Sequence, residues 1–298
     1  MRVPKGGVAF FDSGIGGLTV LSECEKLCPQ EVFYYYGDHE HAPYGNLSEK
    51  KIKKYVFRVF RKFAKLKVKA VVVACNTATA VCIESLRKKY SFPIIGAEPA
   101  IFPAAKQGGD VYVLSTRATF SSRRFRALIA AARLRFPNAT LKAFACDGLA
   151  GAIEENLGRS GYDFTCFLPE GQPSAVVLGC THYIYIGREI ASFYNCRAYD
   201  GNTGIARRLK AVLEADARKN RDGQPPRRKN PRFLGFSTTF NTIKKFLKSI
   251  TKKMQPFWRK MSRNALKIKA KSEIYLLGRN NEKEAEIYKQ MFAFHDGG

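Results

Sequence analysis

The 298-residue sequence contains no apolar run that approaches the roughly 18 to 20 residues of a membrane-spanning helix. Its first apolar run, Val8 to Phe11, is shorter than the apolar core of a signal peptide, which has about 7 to 15 residues. These two absences argue against export, so we expect a cytoplasmic protein whose eight cysteines are mostly reduced. Hydrophobic residues make up 45% of the chain, which is enough for a globular core.

Acidic residues are missing from the chain between Asp222 and Glu273. Residues 206–298 carry 24 Lys and Arg against 8 Asp and Glu, and the whole chain has a formal net charge of +26. Because a basic segment attracts polyanions, residues 227–271 are a candidate surface for nucleic acid or an anionic membrane. A solvated basic face explains the same composition, and the sequence alone does not separate the two.

Short apolar runs alternate along the chain with longer amphipathic segments. The candidate strands are Val8–Phe11, Val32–Tyr36, Ala70–Ala74, Ile94–Ile95, Val111–Leu114, Leu141–Phe144, Ala175–Leu178 and Ala198–Tyr199. The candidate helices are Leu18–Leu27, Ser48–Lys65, Ala78–Tyr90, Ser121–Arg135, Gly148–Asn156 and Thr203–Ala217. Continuous apolar strands separated by helices predict parallel sheets that are covered on both faces. We therefore expect an α/β fold of the doubly wound type.

The chain also looks internally duplicated. The segment GGVAFFDSGIGG resembles GGDVYVLSTRAT, and AVVVACNTAT resembles AVVLGCTHYI. Two similar halves predict two similar lobes, each a doubly wound, mostly parallel sheet, with the active site in the cleft between them. Ligands of open α/β sheets bind outside the carboxyl ends of the strands, and Cys75 and Cys180 both follow a predicted strand.

The predicted lobes divide the chain so that each contributes one of these thiols. The first lobe is expected to hold residues 1–97 plus 204–250, and the second lobe residues 98–203. Residues 251–298 form a basic C-terminal extension to which the two-lobe plan gives no role.

A cysteine at a strand end is most often a small buried hydrophobic residue. The polar residues that follow Cys75 and Cys180 favour a ligand site instead. Disulfide exchange is disfavoured because no Cys-x-x-Cys motif occurs. A nucleophile paired with His182 is one remaining chemistry. Proton transfer is the other, in which one thiolate removes a proton from carbon and the opposite thiol returns one to the other face.

Two further segments contain candidate ligand-binding residues. Asp12 follows the first strand and precedes glycines and a helix, so its turn offers backbone N–H groups to a carboxylate. The glycines do not complete a dinucleotide-binding fingerprint. A zinc site would need Cys24 and Cys28 together with His39 and His41, but their spacing matches no common structural site. Packing of the two cysteines on one helix face is the preferred interpretation.

Six motifs that occur in order resemble a known enzyme family. They are DSGIGGLTVL, PYG, ACNTATA, IIGAEPAIFPAA, LSTRATFSS and GCTHY. The sequence resembles the glutamate racemases of the cofactor-independent aspartate/glutamate racemase superfamily, from about Val8 to about Ile250. The resemblance implies interconversion of L- and D-glutamate without a cofactor or a metal. It also implies that the D-glutamate is used for bacterial peptidoglycan, and that the enzyme thereby contributes to cell-wall synthesis and cell shape.

The resemblance also implies roles for individual residues. Cys75 and Cys180 would be the acid/base pair, with Cys180 deprotonating L-glutamate and Cys75 deprotonating D-glutamate. Asp12, His182 and Glu154 would be the other catalytic residues. The implied substrate contacts are Asp12, Ser13, Tyr44, Gly45, Asn76, Thr77, Thr181 and His182.

Two other functions stay open at this point. An aspartate racemase is the nearest alternative, because pocket length cannot be read from the motifs. A polyanion-binding module that acts through the basic C-terminal segment belongs to a different class. A homodimer is one assembly open to the chain.

Overall fold

The computed structural model describes residues 5–157, 161–222, 265–269, 273–277, 282 and 285–287. The strands within these ranges are β1 (Val8–Asp12), β2 (Val32–Gly37), β3 (Ala70–Val73), β4 (Ile94–Gly96), β5 (Gly109–Ser115), β6 (Ala139–Ala145), β7 (Ala175–Leu178), β8 (Arg197–Tyr199), β9 (Ala265–Lys269) and β10 (Glu273–Leu277). The helices are α1 (Gly17–Leu27), α2 (Glu49–Lys65), α3 (Asn76–Lys89), α4 (Ile101–Ala105), α5 (Arg117–Phe120), α6 (Arg123–Arg135), α7 (Leu149–Asn156), α8 (Gly187–Phe193) and α9 (Asn202–Asp222). Each predicted strand and helix is present, with ends that differ by a few residues.

The strands form two separate sheets. The first sheet has the order β4-β3-β1-β2-β10-β9, and all of its neighbours are parallel except β10 and β9. The second sheet has the order β6-β5-β7-β8 and is entirely parallel. From β1 to β8, a helix lies between each strand and the next one in the chain. The predicted fold class, two doubly wound, mostly parallel α/β regions, is confirmed.

Alternate residues of the central strand β1 enter two cores on opposite faces of the first sheet. On one face Phe10 packs with helices α1 and α9, and on the other Phe11 packs with helices α2 and α3. Successive side chains of a strand point to opposite faces, so a strand covered on both sides must be apolar throughout. This explains why the sequence of β1 reads as a continuous apolar run and not as an alternating one.

The end of the chain adds two strands to the first sheet. Strand β10 lies parallel to β2, with Ile274 opposite Phe33, and β9 forms the antiparallel edge. Ile274 and Leu276 are buried in the same core as α1 and α9. The sequence motifs gave no place to these residues, because the connection from α9 is long and no motif marks the pairing.

Helix α9 returns the chain to the first sheet, where it packs on α1 and reaches β4. The exact lobe boundaries at 97/98 and 203/204 stay predictions. Apart from strand β9, the candidate polyanion-binding segment 227–271 lies outside the described residues. Within the described part of the chain, no helix is both long and apolar enough to cross a bilayer.

Candidate active site

The candidate site is built at the carboxyl ends of three strands. Asp12 is the last residue of β1, and Cys75 follows the neighbouring strand β3 in the first sheet. Cys180 follows β7 in the second sheet. All three side chains are buried. Because parallel strands present their carboxyl ends at one edge, a βα unit of this kind delivers polar side chains to a common crevice.

Cys75 lies at the start of helix α3, and its surroundings contain few charges. Its Sγ accepts a hydrogen bond from the Ala78 N–H at 3.4 Å and lies 3.5 Å from the Ser13 Oγ. Burial raises the pKa of the thiol, as do the nearby Asp12 and Cys180, while the hydrogen bonds from Ser13 and Ala78 lower it, and the net pKa is about 12. The raised pKa favours the protonated thiol at neutral pH.

Cys180 begins a chain of polar contacts that Cys75 lacks. The Cys180 Sγ lies 3.8 Å from the Nδ1 of His182, whose Nε2 lies 2.5 Å from the Oε2 of Glu154. The other carboxylate oxygen of Glu154 lies 3.0 Å from the Nδ1 of His39. This row of polar contacts joins the two sheets. His39 follows β2 of the first sheet, and Glu154 lies on α7, after β6 of the second.

Hydrogen bonds and charges shift the pKa values of Glu154 and His182 in this row of contacts. Burial opposes ionisation of Glu154, but hydrogen bonds from His182 and His39 hold the pKa of its carboxyl well below the usual range. Burial likewise opposes a charged His182, but contacts with Cys180 and Glu154 raise the pKa of its imidazole well above the usual value. The arrangement thus favours an imidazolium at His182 and a carboxylate at Glu154.

Asp12 joins the two sheets at the floor of the site. Its Oδ1 accepts from the Gly14 N–H at 2.9 Å, and its Oδ2 accepts from the Thr181 hydroxyl at 3.2 Å. Burial raises the pKa of Asp12, while His182 and the Gly14 N–H lower it. A Cβ on Gly16 would lie 2.4 Å from the Thr181 Oγ1, so only glycine permits this close approach.

A group of hydroxyls and an unsatisfied amide line another side of the site. The Thr77 Oγ1 lies 2.8 Å from the Thr116 Oγ1 and 3.1 Å from the Thr119 Oγ1. The Asn76 Oδ1 is buried and has no hydrogen-bond partner among the residues that the structure describes. A buried acceptor without a partner is costly, which favours a ligand that supplies the missing donor.

The structure brings the residues predicted from sequence into one neighbourhood. The buried members are Asp12, Ser13, Tyr44, Gly45, Cys75, Asn76, Thr77, Cys180, Thr181 and His182, and Glu154 is partly buried. Gly45 packs against Thr116, where a Cβ would lie 2.8 Å from that residue's Cβ. The Tyr44 hydroxyl donates to Asp38 at 2.6 Å, so this contact fixes the loop that carries Gly45. A cavity of about 420 Å³ opens beside Gly45 and Thr116.

The residues of the alternative zinc site are dispersed. Cys24 and Cys28 are buried on α1 in the core of the first sheet, which confirms the packing interpretation. His39 pairs with Glu154, and the His41 Nδ1 lies 3.0 Å from the Asp38 carboxylate. Across the described residues, no group of three or more His, Cys, Asp or Glu side chains is arranged to hold a metal ion.

Comparison with known proteins identifies the family. Residues 19–209 match the model of the Asp/Glu/hydantoin racemase family. A glutamate racemase of Clostridium botulinum strain Loch Maree is 37% identical over 225 residues, which cover 72% of this chain and 86% of that protein. One from Clostridium kluyveri is 38% identical over 219 residues, covering 69% and 83%. The chain belongs to the glutamate racemases of this family.

Solved structures of glutamate racemases have the same fold. The Escherichia coli enzyme, in complex with L-glutamate and the activator UDP-MurNAc-ala, is 31% identical with a TM-score of 0.62. It is matched over 77% of this chain and 87% of that one. The Francisella tularensis enzyme, in complex with D-glutamate, is 26% identical with a TM-score of 0.61, over 72% and 83%.

Several residues that form hydrogen bonds in the site of this member of the glutamate racemase family were not predicted from the sequence. His39 and Asp38 lie in a polar loop, GDHEH, where neither periodicity nor spacing singles them out. Thr116 caps helix α5 and only tertiary packing brings it to Thr77. The Tyr35 hydroxyl donates to the Gly14 carbonyl at 2.7 Å from inside a strand that reads as core. Only the folded geometry identifies these residues.

Proposed function

We propose that this protein interconverts L- and D-glutamate by proton transfer between two thiols, without a cofactor. The observation that carries the proposal is the pair of buried cysteines, Cys75 and Cys180, at equivalent strand ends of two sheets. Each is accompanied by different polar partners, so each face of a bound carbon centre would meet its own acid/base group. The named relatives and the solved complexes support glutamate as the substrate.

The proton balance of the reaction follows from this arrangement. The Cys180 thiolate takes the α-proton of L-glutamate and becomes a thiol. The carbanion that forms takes a proton from the Cys75 thiol on the opposite face, which yields D-glutamate and a Cys75 thiolate. The reverse reaction uses the same groups in exchanged roles, and exchange of protons with water restores the starting enzyme.

The charges in the site favour a zwitterionic amino acid. The raised pKa of Cys75 is caused by burial and by the Asp12 carboxylate, so a cation placed beside Asp12 would stabilise the thiolate. The substrate's ammonium group is such a cation. The buried Asn76 Oδ1, which has no partner among the described residues, is a second acceptor for the N–H groups of that ammonium. Substrate binding thus supplies the charge that activates Cys75 as a base.

Donor groups for the carboxylates are present around the same centre. The N–H groups at the start of α3 and the hydroxyl of Thr77 can bind a carboxylate and the charge that spreads into it from the carbanion. Burial of these donors strengthens each interaction, because little water competes with the substrate. In a bacterial cytoplasm the D-glutamate formed would supply peptidoglycan.

Circular dichroism of purified protein tests the assignment directly. Each glutamate enantiomer, supplied without any cofactor, should lose its optical signal until the mixture is racemic. Both aspartate enantiomers serve as the matched comparison, and we expect much slower loss with them. Retention of the signal by both glutamate enantiomers would reject the proposal, and faster racemisation of aspartate would reassign the substrate.

A further inference from the structure

We propose that His39 is a positioning residue that acts on only one of the two thiols, Cys180, through Glu154 and His182. This inference rests on the proposed racemisation. Its physical basis is the row of contacts from the His39 Nδ1 to Glu154 at 3.0 Å, from Glu154 to His182 at 2.5 Å, and from His182 to the Cys180 Sγ at 3.8 Å.

His39 is firmly anchored to the same strand edge as Asp12. Strand β2 runs parallel to β1 with Gly37 opposite Asp12, and the Asp38 N–H donates to the Asp12 carbonyl at 3.0 Å. His39 follows immediately, in a 3₁₀ turn, and its side chain is only 10% exposed. Sheet pairing thus places the backbone of His39, and its nearly buried ring contacts the Glu154 carboxylate.

Glu154 reaches across from α7 and has several partners in the first sheet's loops. Besides His39, the Ile15 N–H lies 3.4 Å from its Oε2. A Cβ on Gly14 would lie 2.6 Å from the same oxygen, so glycine at this position makes room for the carboxylate. One oxygen is thereby directed at His182 and the other at His39. Loss of His39 would free the carboxylate to rotate away from His182.

The charge balance gives His39 a second effect on the same relay. An ionised Glu154 accepts hydrogen bonds, so the His39 Nδ1 and the His182 Nε2 both carry the donated hydrogens. His182 then faces Cys180 with its Nδ1. A firmly ionised and oriented Glu154 favours the imidazolium form of His182, which places a positive charge 3.8 Å from the Cys180 Sγ.

Among the described residues, no hydrogen bond links Cys75 to His39, Glu154 or His182. Its hydrogen-bond partners are Ser13 and the Ala78 N–H, both from the first sheet's side. His39 should therefore influence proton transfer by Cys180 and leave proton transfer by Cys75 nearly unchanged. A defect that was merely structural would affect both thiols, because both lie in the same crevice.

Hydrogen exchange of each enantiomer in deuterated water separates the two thiols. With Cys75→Ser, Cys180 is the remaining thiol, and one enantiomer should still exchange its α-hydrogen. With Cys180→Ser, Cys75 remains and the other enantiomer should exchange. His39→Leu is introduced into each of these two enzymes. We expect exchange by the remaining Cys180 to fall about tenfold or more, as for loss of one charge-assisted hydrogen bond, and exchange by Cys75 to change less than about twofold.

Two further variants make the outcome decisive. His39→Asn keeps an N–H near the position of Nδ1, so it should restore most of the exchange by Cys180. Lys142→Ala, which removes an exposed ion pair with Asp110 on the second sheet, controls for loss of an ion pair in general and should leave both exchange rates unchanged. Equal loss of both exchange reactions, or no loss of either, would overturn the role of His39.

The failure of the proposed function would look different. In that case neither single-thiol enzyme exchanges any α-hydrogen, and the unmodified protein does not racemise glutamate. A second comparison applies if the unmodified protein racemises glutamate but both serine variants exchange too slowly to measure. The primary isotope effect of deuterium at the α-carbon is then measured for each enantiomer, in the His39→Leu variant and in the unmodified protein. A rise confined to one enantiomer supports the inference, and equal effects from both reject it.

Discussion

The hydroxyl of Thr181 donates a hydrogen bond to the Oδ2 of Asp12 at 3.2 Å. Asp12 ends a strand of the first sheet, and Thr181 follows a strand of the second, so this bond joins the tips of the two sheets. It runs from the residue next to Cys180 to the carboxylate near Cys75. The bond therefore helps to set the relative positions of the two halves of the site, together with the contacts of Glu154.

Replacing Thr181 with Val should reduce kcat/KM for both enantiomers of glutamate by about tenfold or more. Valine matches the shape of threonine but leaves the buried Asp12 Oδ2 without this donor, and hydrogen bonds to charged groups contribute about 1.5 to 3 kcal/mol. Thr181→Ser keeps the hydroxyl and should stay within about threefold of the unmodified enzyme. Steady-state rates measured by circular dichroism test this, and equal rates for the two variants would contradict it.

Replacing Gly16 with Ala should impair activity through a steric clash. The new Cβ would lie 2.4 Å from the Thr181 Oγ1 and 2.9 Å from the His182 N, and the backbone N cannot move aside easily. The backbone at Gly16 is right-handed helical, so the effect is one of space and not of strain. Gly204→Ala, in α9, meets no atom within 4 Å and should retain full activity. Similar rates in the two variants would count against the tight packing of this turn.

Replacing either Cys75 or Cys180 with Ser should abolish racemisation, because a serine hydroxyl is a far weaker acid than a thiol and supplies almost no anionic base near neutral pH. Each variant should still exchange the α-hydrogen of one enantiomer with deuterated water, through the thiol that remains. Mass spectrometry of recovered glutamate measures both the exchange and the inversion. Full racemase activity in either variant would exclude the two-thiol scheme.

The free energy of unfolding should fall as the pH rises above about 9. Burial raises the pKa of Cys82 to about 12 from its ordinary value of 9.0, so the folded protein holds this proton more tightly than the unfolded chain. The stabilisation is complete below pH 9 and is lost between pH 9 and 12, with a slope of up to about 1.4 kcal/mol per pH unit. Denaturant titrations at several pH values should show a shallower slope for Cys82→Ala. Cys166→Ala, at an exposed thiol, is the control and should keep the original slope.

Most of the fold was predictable because buried parallel strands leave an unambiguous pattern. The run Ala175–Leu178 was predicted with the same ends that the structure gives, since it is apolar throughout and a glycine follows it. The two C-terminal strands were missed for the opposite reason. Lys267 and Lys269 alternate with apolar residues on the edge strand β9, and its neighbour β10 pairs with a partner far away in sequence. Long-range pairing of this kind has no local signal.

The site was predictable where its residues lie at strand ends within recognisable motifs. Asp12, Cys75 and Cys180 belong to that class. His39 does not, because its role depends on the distance to Glu154, which is 115 positions later in the chain. The spacing of this histidine argued against a zinc site but indicated no other partner, and the structure gives it the Glu154 carboxylate. Partners of catalytic groups are chosen by tertiary geometry, which residue spacing does not encode.

The insertion of β10 beside β2 has a consequence for the synthesis of the protein. A ribosome releases residues 8–96 long before residues 273–277, so strand β2 first emerges with one edge unpaired and its apolar face incompletely covered. Exposed strand edges promote association with other chains, and contacts between distant parts of a sequence slow folding. The nascent first sheet must therefore stay incomplete until nearly the whole chain has been made. Termination before residue 273 would leave the second sheet with all of its strands, attached to a first sheet that lacks β10 and is therefore prone to aggregate.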